Sequence, residues 1–362
     1  MGYCVSIARV EKNVEHAIER AIALLGWSPK ESTYLIKPNM LNAKTSEEGV
    51  TTDPRIIGAI ARYLKERGIT ALVGDSPGNA YPGKARMVFE KTGMMEAIRK
   101  YGASYVDFEE TPANLVRING EVVTSIGLGS PIMKSSIINV AKLKTHMQTM
   151  MTGAIKNIAM GSIQGSGKSL IHEVGKDPTK MAKAIVDIYE FLRPKIALNV
   201  MDAIVCMEGN GPSSGSPIRL GLVMASQDAL ALDMASFRVA GVDPLVIPYI
   251  KEASRRGLGP RLPDEIELLG DAPVPAKFRL PSTIASRLTT FAGAMAYSVL
   301  KSSVSFDKSR CTKCGECKGI CPTKAISMSP FPTVDRKKCI TCYSCHEVCE
   351  NNAVIIKKSV LG

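Results

Sequence analysis

Eight of the chain's ten cysteines fall between Cys311 and Cys349, in two copies of one pattern. The first copy is Cys311-x2-Cys314-x2-Cys317-x3-Cys321-Pro322, and the second is Cys339-x2-Cys342-x2-Cys345-x3-Cys349. Three thiolates at this spacing can each reach a different iron of one cubane, while the fourth opens a short helix leading to another. The pattern therefore predicts two 4Fe–4S clusters, one on Cys311, Cys314, Cys317 and Cys349, the other on Cys339, Cys342, Cys345 and Cys321. Zinc takes four ligands per ion and has no use for a doubled fourfold set. Lys308, Arg310, Lys313, Lys318, Lys324, Arg336, Lys337 and Lys338 surround the cysteines and offset the negative charge of thiolate-bound iron–sulfur groups. The chemistry implied is electron transfer.

A second concentration of reactive side chains lies mid-chain. From Lys134 to Lys183 there are eight lysines, no arginine and two acids, Glu173 and Asp177, with two of the four histidines, His146 and His172. Gly153, Gly161, Gly165 and Gly167 are interspersed, and glycine turns let backbone N–H groups approach an anion. An anion site is expected here. His146 is the candidate proton source, Lys156 with Asn157 would position a substrate or cofactor, and His172 is a further candidate. Lys37, Asn39, Asp75, Lys144, Lys168 and Glu208 join Asn157 as candidate substrate-binding residues. Gly167-Lys168-Ser169 is not a phosphate loop, since Ser162 stands where that motif needs glycine, and Gly209-x-Gly211 precedes Pro212 and a strand, the wrong context for a dinucleotide fingerprint. Cys4 and Cys206 are expected as buried packing, His16 on a helix surface, and His346 as a local hydrogen-bond donor.

The elements that must position these groups alternate. TDPRIIGAIARYLKERG reads as a helix capped at Thr52 or Asp53 and ended at Gly68, and ITALVGD as the strand after it. Lys84–Tyr101 and Pro178–Leu192 read as helices, KIALNVMDAIV and IRLGLVMAS as strands, DALALDMASFRVAG and Pro244–Arg256 as helices, and IELLG as a strand. The fold class is α/β, a mostly parallel sheet with helices on both faces. In such a sheet the functional loops follow the carboxyl ends of strands, which singles out Asp75, Lys144–His146 and Glu208–Gly211. An α/β domain is expected over 1–275, a linker helix over 276–305 and the cluster domain over 306–362.

The chain has 362 residues with a net charge of +12, which suits anionic partners. Aromatics make up only 5%, with no basic–aromatic interleaving, so nucleic acid is not expected. The opening MGYCVSIARV reads as a strand, not an export signal, and the apolar stretch before Leu300 is broken by Arg287 and several Ser and Thr. A cytoplasmic protein without a membrane span is expected.

Three resemblances add to this reading. Residues 306–358 resemble the two-cluster bacterial ferredoxins, with Glu350 where proline often follows the last cysteine. This implies a small α+β domain and a redox partner such as ferredoxin or flavodoxin. KPNM at Lys37–Met40, GDSPG at Gly74–Gly78, KLKTH at Lys142–His146, TGAIKN at Thr152–Asn157 and EGNGP at Glu208–Pro212 resemble the uncharacterised family of the domain of unknown function numbered 362. His146, Lys156 and His172, at intervals of ten and sixteen, also resemble the nickel-pincer lactate racemases. That likeness implies a cofactor on Lys156, a metal on His172 and acid–base work for His146. The function expected is an iron–sulfur oxidoreductase that uses low-potential electrons on a small anionic substrate. The alternatives are an electron-transfer or scaffold protein without chemistry of its own, and a pincer-cofactor isomerase.

Overall fold

Lys37, Asp75 and His146 all follow or end parallel strands, and the order of those strands explains why they meet. The computed structural model describes residues 2–11, 13–165, 167–174, 177–282 and 300–360. The strands of its larger part are β1 (Tyr3–Arg9), β2 (Thr33–Lys37), β3 (Thr70–Val73), β4 (Ser104–Tyr105), β5 (Asn114–Arg117), β6 (Ser125–Leu128), β7 (Ser136–His146), β8 (Met150–Thr152), β9 (Ile196–Glu208), β10 (Ser216–Ser226) and β11 (Ile266–Gly270). The main sheet runs β11-β1-β10-β9-β7-β2-β3-β4, with β8 attached to β7. Along that path β10 is antiparallel to both neighbours and every other pairing is parallel. From β2 the chain steps to β3 and β4 on one side, then returns to β7 and continues to β9 on the other. The gap between β2 and β7 is thus the topological switch point, where parallel sheets open a crevice.

Helices α1 (Val14–Leu24), α2 (Pro54–Lys65), α3 (Lys84–Lys91), α4 (Met94–Tyr101), α5 (Ser130–Lys134), α6 (Ala154–Gly161), α7 (Gly167–Val174), α8 (Pro178–Leu192), α9 (Ala229–Val239) and α10 (Pro248–Arg255) cover the sheet. Ile56, Ile57, Ile60 and Leu64 of α2 pack with Ile36, Val73, Ile138 and Val140 on one face. Ile155 and Ile158 of α6, with Ile185 and Ile188 of α8, pack with Leu35, Ile137 and Ala141 on the other. Burial on both faces is why β7 is buried from Ile137 to His146. The N-terminus of α2 forms as expected, with Asp53 capping the Arg55 N–H and Pro54 in the first turn.

Several expectations are corrected. The single helix over Lys84–Tyr101 is two, because Gly93 adopts a left-handed φ of 76° between them. Pro244–Arg256 likewise divides into a short turn, Pro244–Val246, and α10, which restarts with Pro248 in its first turn. Cys4 is only half-buried, its Sγ 3.6 Å from Glu267 on the edge strand β11, whereas Cys206 is fully buried. His16 is on the helix surface. Most of the expected linker helix lies outside the described residues. Its last residues form a strand instead, β12 (Leu300–Phe306), because they pair antiparallel with β15 (Val354–Val360).

That pair, with β13 (Ile326–Met328), β14 (Pro332–Val334) and the one-turn helices Glu316–Gly319 and Ser344–Glu347, makes the small cysteine-bearing domain. Its two halves repeat one backbone. Positive φ occurs at Lys313 and Thr341, at Gly315 and Tyr343, and at Lys324 and Asn352, which are equivalent places in the two motifs. Such left-handed residues curl each loop around its cysteines.

Candidate functional site

The cysteine loops fit the groups their spacing predicts. A small cavity is lined by Cys321, Cys339, Cys342 and Cys345, the complete second set, including the ligand contributed by the first motif. Burial, with Cys314, Cys349 and Cys311 adding to it, pushes the Cys317 thiol up to about 11. The two distant ligands are supported alike: the Ala325 N–H donates to Cys321 Sγ at 3.2 Å and the Ala353 N–H to Cys349 Sγ at 3.3 Å. Backbone donors to sulfur of this kind help set cluster potentials. Among the described residues no three His, Cys, Asp or Glu side chains converge on a single metal ion.

A second cavity, about 610 Å³ counted to its open mouth, lies where this domain meets the α/β domain at the β2–β7 crevice. Strand β7 builds one wall. Past Asn139, which pairs with Lys37 at the end of β2, it runs on to His146. Side chains alternate along a strand, so Lys142, Lys144 and His146 form one row. Lys142 pairs with buried Asp202 at 2.9 Å and is structural. Lys144 donates to Asn39 Oδ1 and the Val50 carbonyl, both at 2.7 Å. His146 Nδ1 accepts from the Gln148 and Thr149 N–H groups at 3.1 and 3.3 Å, which leaves the ring proton on Nε2. That nitrogen lies 3.1 Å from Glu347 Oε1.

Helix α6 brings in Lys156 and Asn157. Its N-terminus is fixed by buried Asp233, which accepts from the Ala154 and Ile155 N–H groups at 2.5 and 3.1 Å. Asn157 belongs to a chain of amides. Asn39 donates to Asn157 at 2.9 Å, Asn157 to Asn139 at 2.8 Å, and Asn139 to Asn199 at 2.9 Å. From α7 come Lys168 and His172, one turn apart on one face. Lys168 Nζ donates to the Ser76 carbonyl and hydroxyl, both at 2.6 Å, and to the Pro77 carbonyl. His172 Nδ1 sits 3.0 Å from Gln148 Oε1. Lys37 is fully buried behind the wall and pairs with Asp75 at 2.7 Å.

Lys156 has no such partner. Among the described residues its Nζ makes no ion pair or hydrogen bond, and it reaches the open cavity with the rest of the side chain buried. Burial lowers it from 10.5 to about 8, with Glu347 pulling weakly the other way. Burial also lowers Lys168 to about 7 against the attraction of Asp75 and Glu109. Lys144 is lowered further, by burial and then by Lys156 and Lys142. Burial and Lys156 lower His146 to about 4, so its imidazole is neutral. His172 is lowered as well, chiefly by burial. Among the described residues lining the cavity, Glu347 is the carboxylate left once Asp75 is paired with Lys37. Burial alone would raise it, but His146, His172 and Lys156 outweigh burial and hold it below the usual carboxylate range. The cavity is a cationic, partly dry place with room for a small anion.

Of the residues singled out in the sequence, His146, Lys156, His172, Asn39, Asp75, Lys144, Asn157 and Lys168 line this cavity, and Lys37 supports Asp75 from behind. Glu208 is not brought to it. Its carboxylate accepts from the Arg279 backbone N–H at 2.9 Å and from its guanidinium at 2.7 Å, away from the crevice. The GNGP loop contributes Pro212 instead. Lys168 is spent on the Gly74–Gly78 loop, and Ser169 donates to the Ile320 carbonyl at 3.3 Å, so this segment docks the cysteine domain. His346, expected as a local hydrogen-bond donor, is buried, and among the described residues its Nδ1 has no hydrogen-bond partner. The residue that sequence reasoning missed is Glu347. It sits between Cys345 and Cys349 on the helix Ser344–Glu347, and only the docking of the two domains aims it at His146.

The fold and site define an α/β protein with a ferredoxin-type domain seated over the carboxyl ends of its central strands. The chain belongs to the family described as Domain of unknown function (DUF362), which matches residues 35–238. Residues 297–354 match the 4Fe-4S dicluster domain. A curated relative, "Thylakoid-associated protein sll1697" of Synechocystis sp., is 32% identical over 228 residues, covering 62% of this chain and 68% of that one. The lactate racemase apoprotein from Thermoanaerobacterium thermosaccharolyticum is similar at 13% identity with a TM-score of 0.43, covering 66% of this chain and 57%, under two thirds, of that one. No described helix is long and apolar enough to cross a membrane.

Proposed function

We propose that the chain is an iron–sulfur oxidoreductase that binds a small anionic substrate, a carboxylate or phosphate, in the cavity between its two domains. The observation that carries this reading is Lys156, a buried ammonium without a counter-ion in a cavity whose remaining cations have their hydrogen bonds or ion pairs elsewhere. An uncompensated buried charge is costly, and an arriving anion removes the cost. The 4Fe–4S clusters, when bound by the two cysteine sets, supply low-potential electrons one at a time.

The chain's own residues have separable parts in this scheme. Lys156 seats the anion, and the amide chain through Asn157 fixes the helix that carries it. Gln148 holds the His172 ring at the cavity wall. The His146 tautomer keeps its proton on Nε2, 3.1 Å from the Glu347 carboxylate. Negative charge arriving in the cavity raises the proton affinity of His146, which suits it to take up a proton and pass it to substrate. Nothing in this scheme calls on Glu208.

One observation favours a second reading. Glu347 already places a carboxylate opposite these cations. If it is the only anion they serve, the chain is an electron carrier whose domains are locked together at this point. Calorimetry with the anaerobically prepared full chain separates the two. Oxalate or phosphate should bind saturably, and Lys156→Met should weaken binding by about tenfold or more with iron content unchanged. Equal binding by both proteins would remove Lys156 from the site. The reading carries a cytoplasmic location, with cysteines serving as cluster ligands; fractionation tests this against the membrane association that the Synechocystis protein's name records.

A further inference from the structure

The cysteine domain has another face, turned away from the cavity. Cys314 of the first set is exposed, whereas Cys345 of the second is buried in the small domain's own core with Val304, Ile326 and Val354. Lys308, Arg310, Lys313 and Lys318, all exposed, crowd the Cys314 edge. Lys308 and Lys313 converge on one ring, their Nζ atoms 5.8 and 4.7 Å from the centroid of Phe331. Among the described residues only Arg310 of the four has a carboxylate within ion-pair reach, Asp307 at 3.4 Å.

The carboxylates that would neutralise this rim point into the molecule. Glu316 accepts from Asn79 Nδ2 at 2.6 Å, the Tyr81 hydroxyl at 3.0 Å and Lys84 Nζ at 3.2 Å. Glu350 is turned to the Ala43 N–H and to Lys84, and Glu347 to the cavity. An open groove on the other side of Cys314 is lined by Glu316, Tyr81, 45% exposed, and Ser169 and by none of the four rim cations, so it is distinct from the basic rim.

We propose that this rim is the docking face for a small electron-carrier protein with an acidic surface. Charge complementarity selects the occupant. Three unpaired lysines beside an exposed cluster ligand attract an acidic protein and repel a basic one, and long-range attraction raises the encounter rate. None of the four rim cations lines the cavity, so substituting them leaves the anion site's own residues in place. The inference rests on the oxidoreductase reading above for its purpose, but its binding site is separate.

The test is calorimetry on the anaerobic, iron-loaded full chain, with an acidic two-cluster ferredoxin and an acidic flavodoxin as probes. At low salt at least one probe should bind saturably, with affinity falling about tenfold or more on moving to roughly 0.3 M salt. The Lys308→Glu/Lys313→Glu pair should weaken binding by about tenfold or more, while Lys337→Glu/Lys338→Glu, beside the second motif, stays within about twofold of wild type. If the first pair lowers iron content, Lys308→Gln/Lys313→Gln takes its place under the same criterion. Absence of binding by both probes at low salt, wild-type affinity in the Lys308/Lys313 variant, or loss confined to the Lys337/Lys338 variant would each overturn the proposal. Lys156→Met should bind the carrier like wild type, so failure of the anion site and failure of this face are told apart.

Discussion

A buried ammonium without a carboxylate penalises folding until a ligand supplies the missing charge, and Lys156 is held in that condition by α6. Lys156→Met should therefore lose anion binding while its Tm stays the same or rises. The sign of the pH dependence follows from the lowered pKa. With a folded value of about 8 against 10.5, the penalty is complete below pH 8 and is relieved as pH climbs toward 10.5. The stability gained by Lys156→Met should be largest below pH 8 and shrink above it, as thermal melts across pH 6–10 would show. Anion affinity in wild type should fall as pH rises through about 8, where Lys156 loses its proton. A flat affinity profile over that range would mean the Lys156 ammonium does not contact the anion. The lysines were legible in the sequence because eight of them stand against two acids in one segment. What each one does was not. Lys142 and Lys144 share a strand face, yet one is neutralised by Asp202 and the other is held by neutral oxygens, a distinction made by residues far away in the chain.

At the scale of elements, the site depends on two close fits. An added Cβ at Gly161, in the last turn of α6, would stand 2.2 Å from Lys37 Nζ and 2.6 Å from Asp75 Oδ1. Gly161→Ala should break that fully buried pair and cost about 3–5 kcal/mol, read as a fall in the denaturation midpoint. Asp233→Ala should remove the α6 cap at a cost of about 1–2 kcal/mol and weaken anion binding through displacement of Lys156, whereas Asp233→Asn keeps one acceptor and should recover part of both. The alternation of strands and helices was readable because each helix carries its own caps and apolar stripe. The reversal of β10 and the extension of β7 beyond β2 were not readable, because they are settled by pairing between strands far apart in sequence. Glu208 was misplaced for the same reason: it does end a strand, but Arg279 from a later segment claims it.

For the whole molecule, function depends on seating the cysteine domain over the crevice. Lys44 Nζ bridges the Ser213 carbonyl and Asn352 Oδ1 at 2.7 and 2.6 Å, Ser213 Oγ donates to the His346 carbonyl at 3.0 Å, and Glu316 gathers Asn79, Tyr81 and Lys84. Glu316→Ala leaves buried Lys84 with only Glu350, 3.6 Å away. Hydrogen exchange should then accelerate at Gly78–Lys84 and Ser344–Val348 while the strands of the main sheet keep their protection. Unchanged exchange at both segments would show that other contacts suffice to seat the domain. The seating also explains why Glu347 could not be found from the motif. Within Cys345-x-Glu-x-Cys349 it is an unremarkable linker residue, and it gains a target only when His146 stands across the interface.

The most direct test of the account is whether an anion in the cavity is felt at the iron. Electron paramagnetic resonance of the dithionite-reduced full chain, titrated with oxalate or phosphate, reads this without knowledge of the natural substrate. The account predicts a saturable change in the cluster spectrum in wild type, abolished in Lys156→Met at the same iron content. A spectrum that stays constant while calorimetry shows the anion bound to the wild-type protein would separate the anion site from the electron path and contradict the central claim.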